Sequence, residues 1–425
     1  MLKSYYLGLN SLEMKKIRIA FIKFAGLSAG GTEKFLQTIA ANLDPTFFSV
    51  DYFYCDSAPY VNSDYKHIDT DIHRKKYMEK HGINLIKFDV GAKDVTKKDH
   101  RWINTNFWQK FKEEDYDIVQ TGRAGFPEYP FTKIRKVPIV DSLHIIAGVD
   151  NQYNISRVMH ITDWSAKRWI HMHGDKNRVV RVSHPMEIVA EKGDMKERLH
   201  FKELFKEGQR PFVFGFHQRA DDGIFSSLPL EAYKKIETDN TLFLLMGGSR
   251  RYTEKAKELE IKRFIQIPHS ARSQDIYDFL QTVDVYAHGR KDGEINSTAM
   301  AEAMYFGLPI VSHYSEINNG HVECIADAGL VVHTVNEYAD ELVKLMTDKD
   351  YYQYRKERSK ERFQKEYDLK TQMAIIEGIY RDVVAHPFPH PFQRRISSFN
   401  LYYNSISIIP RGYAYLKRKI NKTSA

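Results

Sequence analysis

The stretch Gly289–Val311, GRKDGEINSTAMAEAMYFGLPIV, decides how the rest of the chain is read. Two glutamates, Glu294 and Glu302, stand in it with seven residues between them. Asn296 and Ser297 can cap a helix, because their side chains accept the first free backbone N–H groups. Ala299 to Met304 then make a short helix of mostly small apolar residues. Gly307 supplies the stop, and Pro309 keeps the helix from resuming before Ile310-Val311. A helix start beside Asn296, Ser297 and Thr298 is an anion site suited to a phosphate or diphosphate. Carboxylates repel phosphate, so beside such a site they suit sugar hydroxyls, for which they are strong acceptors. The same spacing also fits a solvated loop and a helix with surface glutamates, and the residues alone leave both open.

On both sides of this stretch apolar runs alternate with helical segments. Strands are predicted at Ile17–Ile22, Val50–Tyr54, Leu85–Phe88, Ile118–Gln120, Pro138–Asp141, Val158–Ile161 and Val179–Val182. A second series follows at Phe212–Phe216, Leu242–Met246, Phe264–Ile267, Val283–Tyr286, Pro309–Val311 and Leu330–Val332. Such alternation implies parallel sheets with right-handed crossovers, and two series imply two doubly wound α/β domains. The charged stretch Ser183–Arg210, opening with His184-Pro185, is the expected linker region. Asn336–Met346 and Tyr351–Val384 read as helices after the last strand. The expected organisation is an N-terminal domain over 1–195, a C-terminal domain over 196–370, a closing helix over 371–385 that returns towards the first domain, and a tail over 386–425.

The chain has 425 residues, 42% hydrophobic and 28% charged, enough for two ordinary cores. Cys55 and Cys324 lie far apart and read as isolated fillers, which suits a reducing, cytoplasmic setting. No apolar run approaches the roughly 18 residues needed to span a membrane. The formal charge is +8, but the segment from His386 to Ala425 carries seven basic residues and no acidic one. The first 385 residues are therefore near neutral, which excludes a basic nucleic-acid groove. The tail mixes Phe399-Asn-Leu-Tyr-Tyr403 and Ile406–Ile409 with Arg411 and Lys417-Arg-Lys419. That mixture suits peripheral contact with an anionic membrane, a protein partner, or a solvated extension.

Behind the first strand, Gly26-Leu-Ser-Ala-Gly30-Gly31-Thr32-Glu33 forms a glycine-rich turn where a ligand can approach the backbone. It lacks the G-x-G-x-x-G spacing of a dinucleotide site. In combination, these pieces resemble the glycosyltransferases of the GT-B fold, specifically the large retaining family numbered 4, from about Ile17 to Val384. Glu294, Glu302, Ala303-Met304, Gly307 and Pro309 follow that family's Glu, seven residues, Glu pattern. Gly30, Gly31 and Glu33 match its GG-x-E helix start. The strand Leu242–Met246 with Gly247-Gly248-Ser249, then Phe264–Ile267 and Val283–Tyr286, match its order.

The resemblance implies that a nucleotide-diphosphate sugar is the donor and a glycan or lipid-linked molecule the acceptor. Transfer would retain the anomeric configuration, with no cofactor and no metal. Glu302 would accept from the ribose, Glu294 would hold donor-sugar hydroxyls, and backbone N–H groups around Asn296, Ser297 and Thr298 would hold the diphosphate. Arg219 would offset charge on the leaving diphosphate, His144 would line the sugar site, and Gly30, Gly31 and Gly247 would let the donor approach the backbone. Asp222-Gly223 stands where the family has Lys-Gly, and Ile295-Asn296-Ser297 where it has smaller residues; Arg290 or Lys291 are the candidate substitutes for the lysine. Two other readings use the same fold: another reaction on nucleotide sugars, such as epimerisation, or nucleotide-sugar binding without catalysis. Asp69-Thr-Asp71 and Asp115-Tyr-Asp117 look like a metal-binding D-x-D but lie away from the ligand positions of this architecture. His171 and His173 alternate as a metal pair would, yet no third ligand is evident and they read as exposed helix or loop residues.

Overall fold

The computed structural model describes residues 15–28, 30–56, 70–90, 105–196, 199–200, 205, 210–270 and 272–388. The first half runs β1 (Ile17–Ile22), α1 (Gly31–Asn42), β2 (Phe48–Tyr54), α2 (Ile72–Lys80), β3 (Asn84–Lys87), α3 (Phe107–Lys110), β4 (Ile118–Arg123), β5 (Ile139–Leu143), β6 (Ile155–His160), α4 (Asp163–His171) and β7 (Val179–Arg181). Its strands form one parallel sheet in the order β3-β2-β1-β4-β5-β6-β7. The second half opens with β8 (Phe212–Gln218), α5 (Leu228–Ile236), β9 (Thr241–Gly247), α6 (Arg251–Glu258), β10 (Phe264–Ile267), α7 (Ser273–Thr282) and β11 (Val285–Ala287). It continues with β12 (Gly293–Glu294), α8 (Thr298–Tyr305), β13 (Ile310–His313), β14 (Asn318–Asn319), α9 (Gly320–Ile325), β15 (Gly329–Val332), α10 (Val335–Thr347), α11 (Lys349–Glu366) and α12 (Leu369–Ala385). A second parallel sheet has the order β10-β9-β8-β11-β13-β15, while β12 and β14 pair by themselves.

Each sheet reverses direction once, between β1 and β4 and between β8 and β11. Ligands of open α/β sheets bind beyond the carboxyl ends of the strands at such a switch point. The two crevices are therefore set by strand order before any side chain is considered. Both sheets are buried on two faces, so their strands read as continuous apolar runs such as Leu242 to Met246.

All the strands predicted from apolar runs form, but β4 and β5 run on into polar sequence. Arg123 and Asp141 are buried within them; the guanidinium lies 2.9 Å from Asp141 and 3.0 Å from Asp150. Burial alone would discharge Arg123, yet the two carboxylates outweigh it and raise its pKa. A buried cation between two carboxylates costs far less than an unpaired one. Polarity thus hid the last turns of these strands from a hydrophobic reading. β12 and β14 are two residues each, too short for any periodicity to reveal.

The helix predicted over Tyr351–Val384 is broken at Tyr367-Asp368. Asp368 caps a new helix, α12, by accepting from Thr371 N at 2.9 Å. α11 belongs to the second core through Phe363 and Tyr367. α12 instead buries Met373, Ile376, Tyr380 and Val383 against Ile19, Phe21 and Ile118 of the first. Each such side chain contributes about 1.5–3 kcal/mol on burial. Tyr380 Oη also donates to Gln120 Oε1 at 2.8 Å. The chain crosses between the domains a second time where Met186 N donates to Tyr367 O at 2.9 Å. Cys55 and Cys324 are buried free thiols, pushed up by burial to about 12 and about 11. Among the described residues no helix is long and apolar enough to cross a membrane. The basic segment of the tail, like Asp69, lies outside the described residues.

Candidate functional site

Helix α8 starts as its sequence suggests, but one residue caps it. Ser297 Oγ accepts from Met300 N at 3.3 Å. Asn296 does not cap: its Nδ2 donates 3.1 Å to Ile161 O of the other domain, and its Oδ1 is buried without a partner. Thr298 is the first helical residue. Gly307 ends the helix at φ +73, a left-handed conformation in which a Cβ is disfavoured.

Glu294 lies on the loop before this helix, with Ser297 Oγ donating to its Oε1 at 3.3 Å. His288 Nε2 and Arg290 Nη1 each stand 3.6 Å from the same oxygen. Burial pushes the Glu294 carboxyl up, but His288, Arg290 and His321 outweigh it and hold it below the usual range. Burial depresses His288 in turn, against the pull of Glu294. The pair is therefore a carboxylate beside a neutral imidazole, with acceptor oxygens left for hydroxyl groups. Glu302, one turn into α8, accepts from His217 Nε2 at 3.1 Å.

Three histidines frame the two glutamates, and each stands at a strand's carboxyl end. His217 is in the last turn of β8, His288 follows β11, and His313 ends β13. His313 Nε2 accepts from Arg290 N at 3.2 Å, which fixes the start of the Glu294 loop. His321 accepts from Glu294 N at 3.3 Å through Nδ1 and donates to His313 O at 3.0 Å through Nε2. These histidines escaped the sequence reading, although a histidine directly after a buried strand was the available signal.

The remaining candidates divide between the two crevices. Arg219 follows β8 but is two-thirds exposed and turned onto Asp221, with Nη2 2.9 Å from Oδ2. Arg290 is mostly buried and bonded to Asp292 at 2.6 Å. Gly247 ends β9 at φ +75, and a Cβ there would lie 2.0 Å from Gln218 O. Only glycine permits that approach of β8 and β9. Beside it, Ser249 Oγ and Gln218 Oε1 are buried without partners.

Across the cleft, Gly30 and Gly31 open α1, where a Cβ on Gly30 would meet Glu33 Oε2 at 2.4 Å. Nothing lies within 4 Å of a Cβ on Gly31, so its space is open. Glu33 is paired to Lys23 at 3.3 Å. His144 follows β5 and packs edge-on against Phe35 of α1, 4.7 Å between ring centres, with His184 5.1 Å away. Burial, then the neighbouring His184 and Lys23, holds His144 well below its usual pKa, and its Nε2 has no partner. His144 and the Gly30-Gly31 turn thus sit at the first domain's switch point, the glutamates at the second's. His171 and His173 are exposed, and Asp71, Asp115 and Asp117 are half-buried; no group of three or more His, Cys, Asp or Glu side chains placed to hold a metal occurs among the described residues.

Residues 196–362 match the family described as Glycosyl transferases group 1. Comparison with curated proteins by sequence found no match. Among solved structures, that of Anabaena Alr3699/HepE in complex with UDP and glucose is 16% identical, with a TM-score of 0.63, covering 86% of this chain and 99% of that one. A glycosyltransferase from Rickettsia africae ESF-5 is 14% identical with a TM-score of 0.64, over 87% of this chain and 99% of that one. The lipopolysaccharide outer core galactosyltransferase WaaB, in its apo form, is 16% identical with a TM-score of 0.59, over 86% and 100%. The chain has the GT-B fold, two Rossmann-like domains with a cleft between them, and residues 196–362 of it are similar to the group 1 glycosyl transferases.

Proposed function

We propose that this chain is a glycosyltransferase that moves a sugar from a nucleotide diphosphate to a glycan or lipid-linked acceptor, with retention of anomeric configuration. The observation that carries this reading is the placement of Glu294 and Glu302 about the Ser297-capped start of α8, beside the β8–β11 switch point. Glu302 accepts from the ribose and Glu294 from the donor sugar, while free N–H groups of α8 hold the diphosphate. Gly31 on the first domain leaves the backbone open to the donor, Gly30 beside it gives room to Glu33, and Gly247 lets β8 and β9 close up at the donor side of the second. His144 lines the sugar side of the cleft.

Arg219 is the cation for the leaving group. An exposed Arg–Asp pair is weak in water, so a diphosphate would draw Arg219 away from Asp221. The bond between the anomeric carbon and the diphosphate oxygen breaks, and a bond to the acceptor oxygen forms on the same face. The acceptor proton passes to the departing diphosphate, whose charge Arg219 and the α8 dipole offset. No protein base and no metal is assigned to this step. Contact of the basic tail with an anionic membrane would bring lipid-linked acceptors close. Flotation on anionic liposomes of the full chain, against a version ending at Ala385, tests that contact.

A thermal-shift panel of UDP, GDP, ADP and their sugars tests the donor site. A ligand at 100 times its Kd stabilises by about 2.7 kcal/mol. One nucleotide family should raise the melting point, and no shift with any of them would reject the reading. With the stabilising donor and an acceptor mixture, Glu294→Ala and Arg219→Ala should each lose transfer by about a hundredfold or more, as when an electrostatic contact to a transition state is removed. Release of an isomerised sugar nucleotide without acceptor would indicate epimerisation instead.

A further inference from the structure

We propose that Glu323 is a positioning residue that ties Glu294 to the docking of the two domains. Helix α4 of the first domain caps itself only in part. Thr162 accepts from Ser165 N at 3.1 Å, which leaves the first two helical N–H groups without a local acceptor. Glu323, from α9 of the second domain, takes both: its carboxylate accepts from Asp163 N at 2.8 Å and Trp164 N at 3.0 Å. A carboxylate at a helix N-terminus gains from the helix dipole as well as from the two bonds. Arg181 of β7 adds a contact of 3.3 Å to the same carboxylate. One turn further along α4, Arg168 Nη1 donates to Ile317 O at 3.3 Å. One helix of the first domain therefore grips the segment Ile317–Glu323 at two points.

That segment is also what holds Glu294. Asn318-Asn319 pair in parallel with Gly293-Glu294. A Cβ on Gly293 would lie 1.8 Å from Asn318 O, and one on Gly320 2.0 Å from Ile295 O, so the two stretches pack backbone to backbone. His321, two residues before Glu323, accepts from Glu294 N. On the far side of Glu294, Asn296 Nδ2 bonds to Ile161 O, directly before the Thr162 cap. The Glu294 loop is thus held on one side by Ile317–His321 of its own domain, a segment that α4 grips, and on the other by the Asn296–Ile161 bond; the grip and that bond exist only while the domains are docked. Domain opening releases α4 from Glu323, and the loop loses the support that places its carboxylate.

The role of Glu294 in this scheme rests on the donor-site reading, but the mechanical link does not. Amide hydrogen exchange by mass spectrometry on the ligand-free full chain tests the link. Peptides covering Gly289–Thr298 should exchange on the order of tenfold faster in Glu323→Ala, through sub-global opening. Glu323→Gln keeps an acceptor oxygen and should exchange close to wild type, while Arg168→Ala should accelerate the same peptides. Glu337→Ala is the control for simple destabilisation: Glu337 accepts from His333 N and Thr334 N at the start of α10, within the second domain. It should leave Gly289–Thr298 unchanged. Wild-type exchange of those peptides in both Glu323→Ala and Arg168→Ala, or an equal rise in Glu337→Ala, would overturn the proposal. A chain that binds no nucleotide yet shows the expected pattern would sink the donor site and leave the link standing.

Discussion

Replacing Glu302 by alanine isolates the nucleotide half of the proposed site. The Glu302 side chain is 13% exposed and has one partner, His217, at 3.1 Å. If its carboxylate accepts from the two ribose hydroxyls, each charge-assisted bond is worth about 1.5 kcal/mol, and losing both costs about 3 kcal/mol. That corresponds to about 160-fold weaker binding of the nucleoside diphosphate. Glu302→Gln keeps an acceptor and loses the charge, at about 1 kcal/mol or fivefold. Glu302→Ala also leaves a buried His217 N–H without an acceptor, so stability falls by about 1–3 kcal/mol. Calorimetric titration with UDP and with its 2′,3′-dideoxy form separates the two effects. Removing the hydroxyls should weaken binding to wild type about as much as the mutation does, and should weaken it no further in Glu302→Ala. An equal penalty for the dideoxy ligand in both proteins would refute the ribose contact, whatever happens to the melting point.

Gly247→Ala places a Cβ 2.0 Å from Gln218 O at a φ of +75. The backbone must shift, at a cost of about 1–3 kcal/mol, with weaker nucleotide binding than in a Gly31→Ala control read by the same titration. Acid should unfold the protein before its carboxylates protonate. Burial lowers His160 to about 4 and does the same to His184, so the unfolded chain takes up protons between pH 6.5 and 4 that the folded chain refuses. Stability is fully present above pH 6.5, and at pH 5 each histidine costs about 2 kcal/mol. A urea midpoint that does not fall between pH 7 and pH 5 would contradict this.

The sheets were legible because parallel strands buried on two faces must be apolar throughout. Leu242 to Met246 and Ile19 to Ile22 announce themselves. The reading failed where burial was electrostatic, as at Arg123, whose ion pair with Asp141 lets a charged residue continue a strand. It failed again at β12 and β14, where two residues carry no period. At the site, the helix start of α8, the Ser297 cap and the Gly307 stop are local features, set by backbone sterics and hydrogen-bond chemistry within one turn. Asn296 was a plausible cap on the same grounds, but a partner 135 residues away, Ile161 O, claimed its side chain.

By itself, then, the chain determined that its strands are parallel, where α8 begins and ends, and that Glu294 and Glu302 flank the start of that helix. Those properties follow from residue type and near-neighbour spacing. Only the tertiary structure decided that His217, His288 and His321 surround the two glutamates, that Arg219 rests on Asp221, and that Glu323 caps a helix of the opposite domain. Each of these joins groups distant in sequence, and strand order and domain docking, not local pattern, bring them within hydrogen-bond or ion-pair reach.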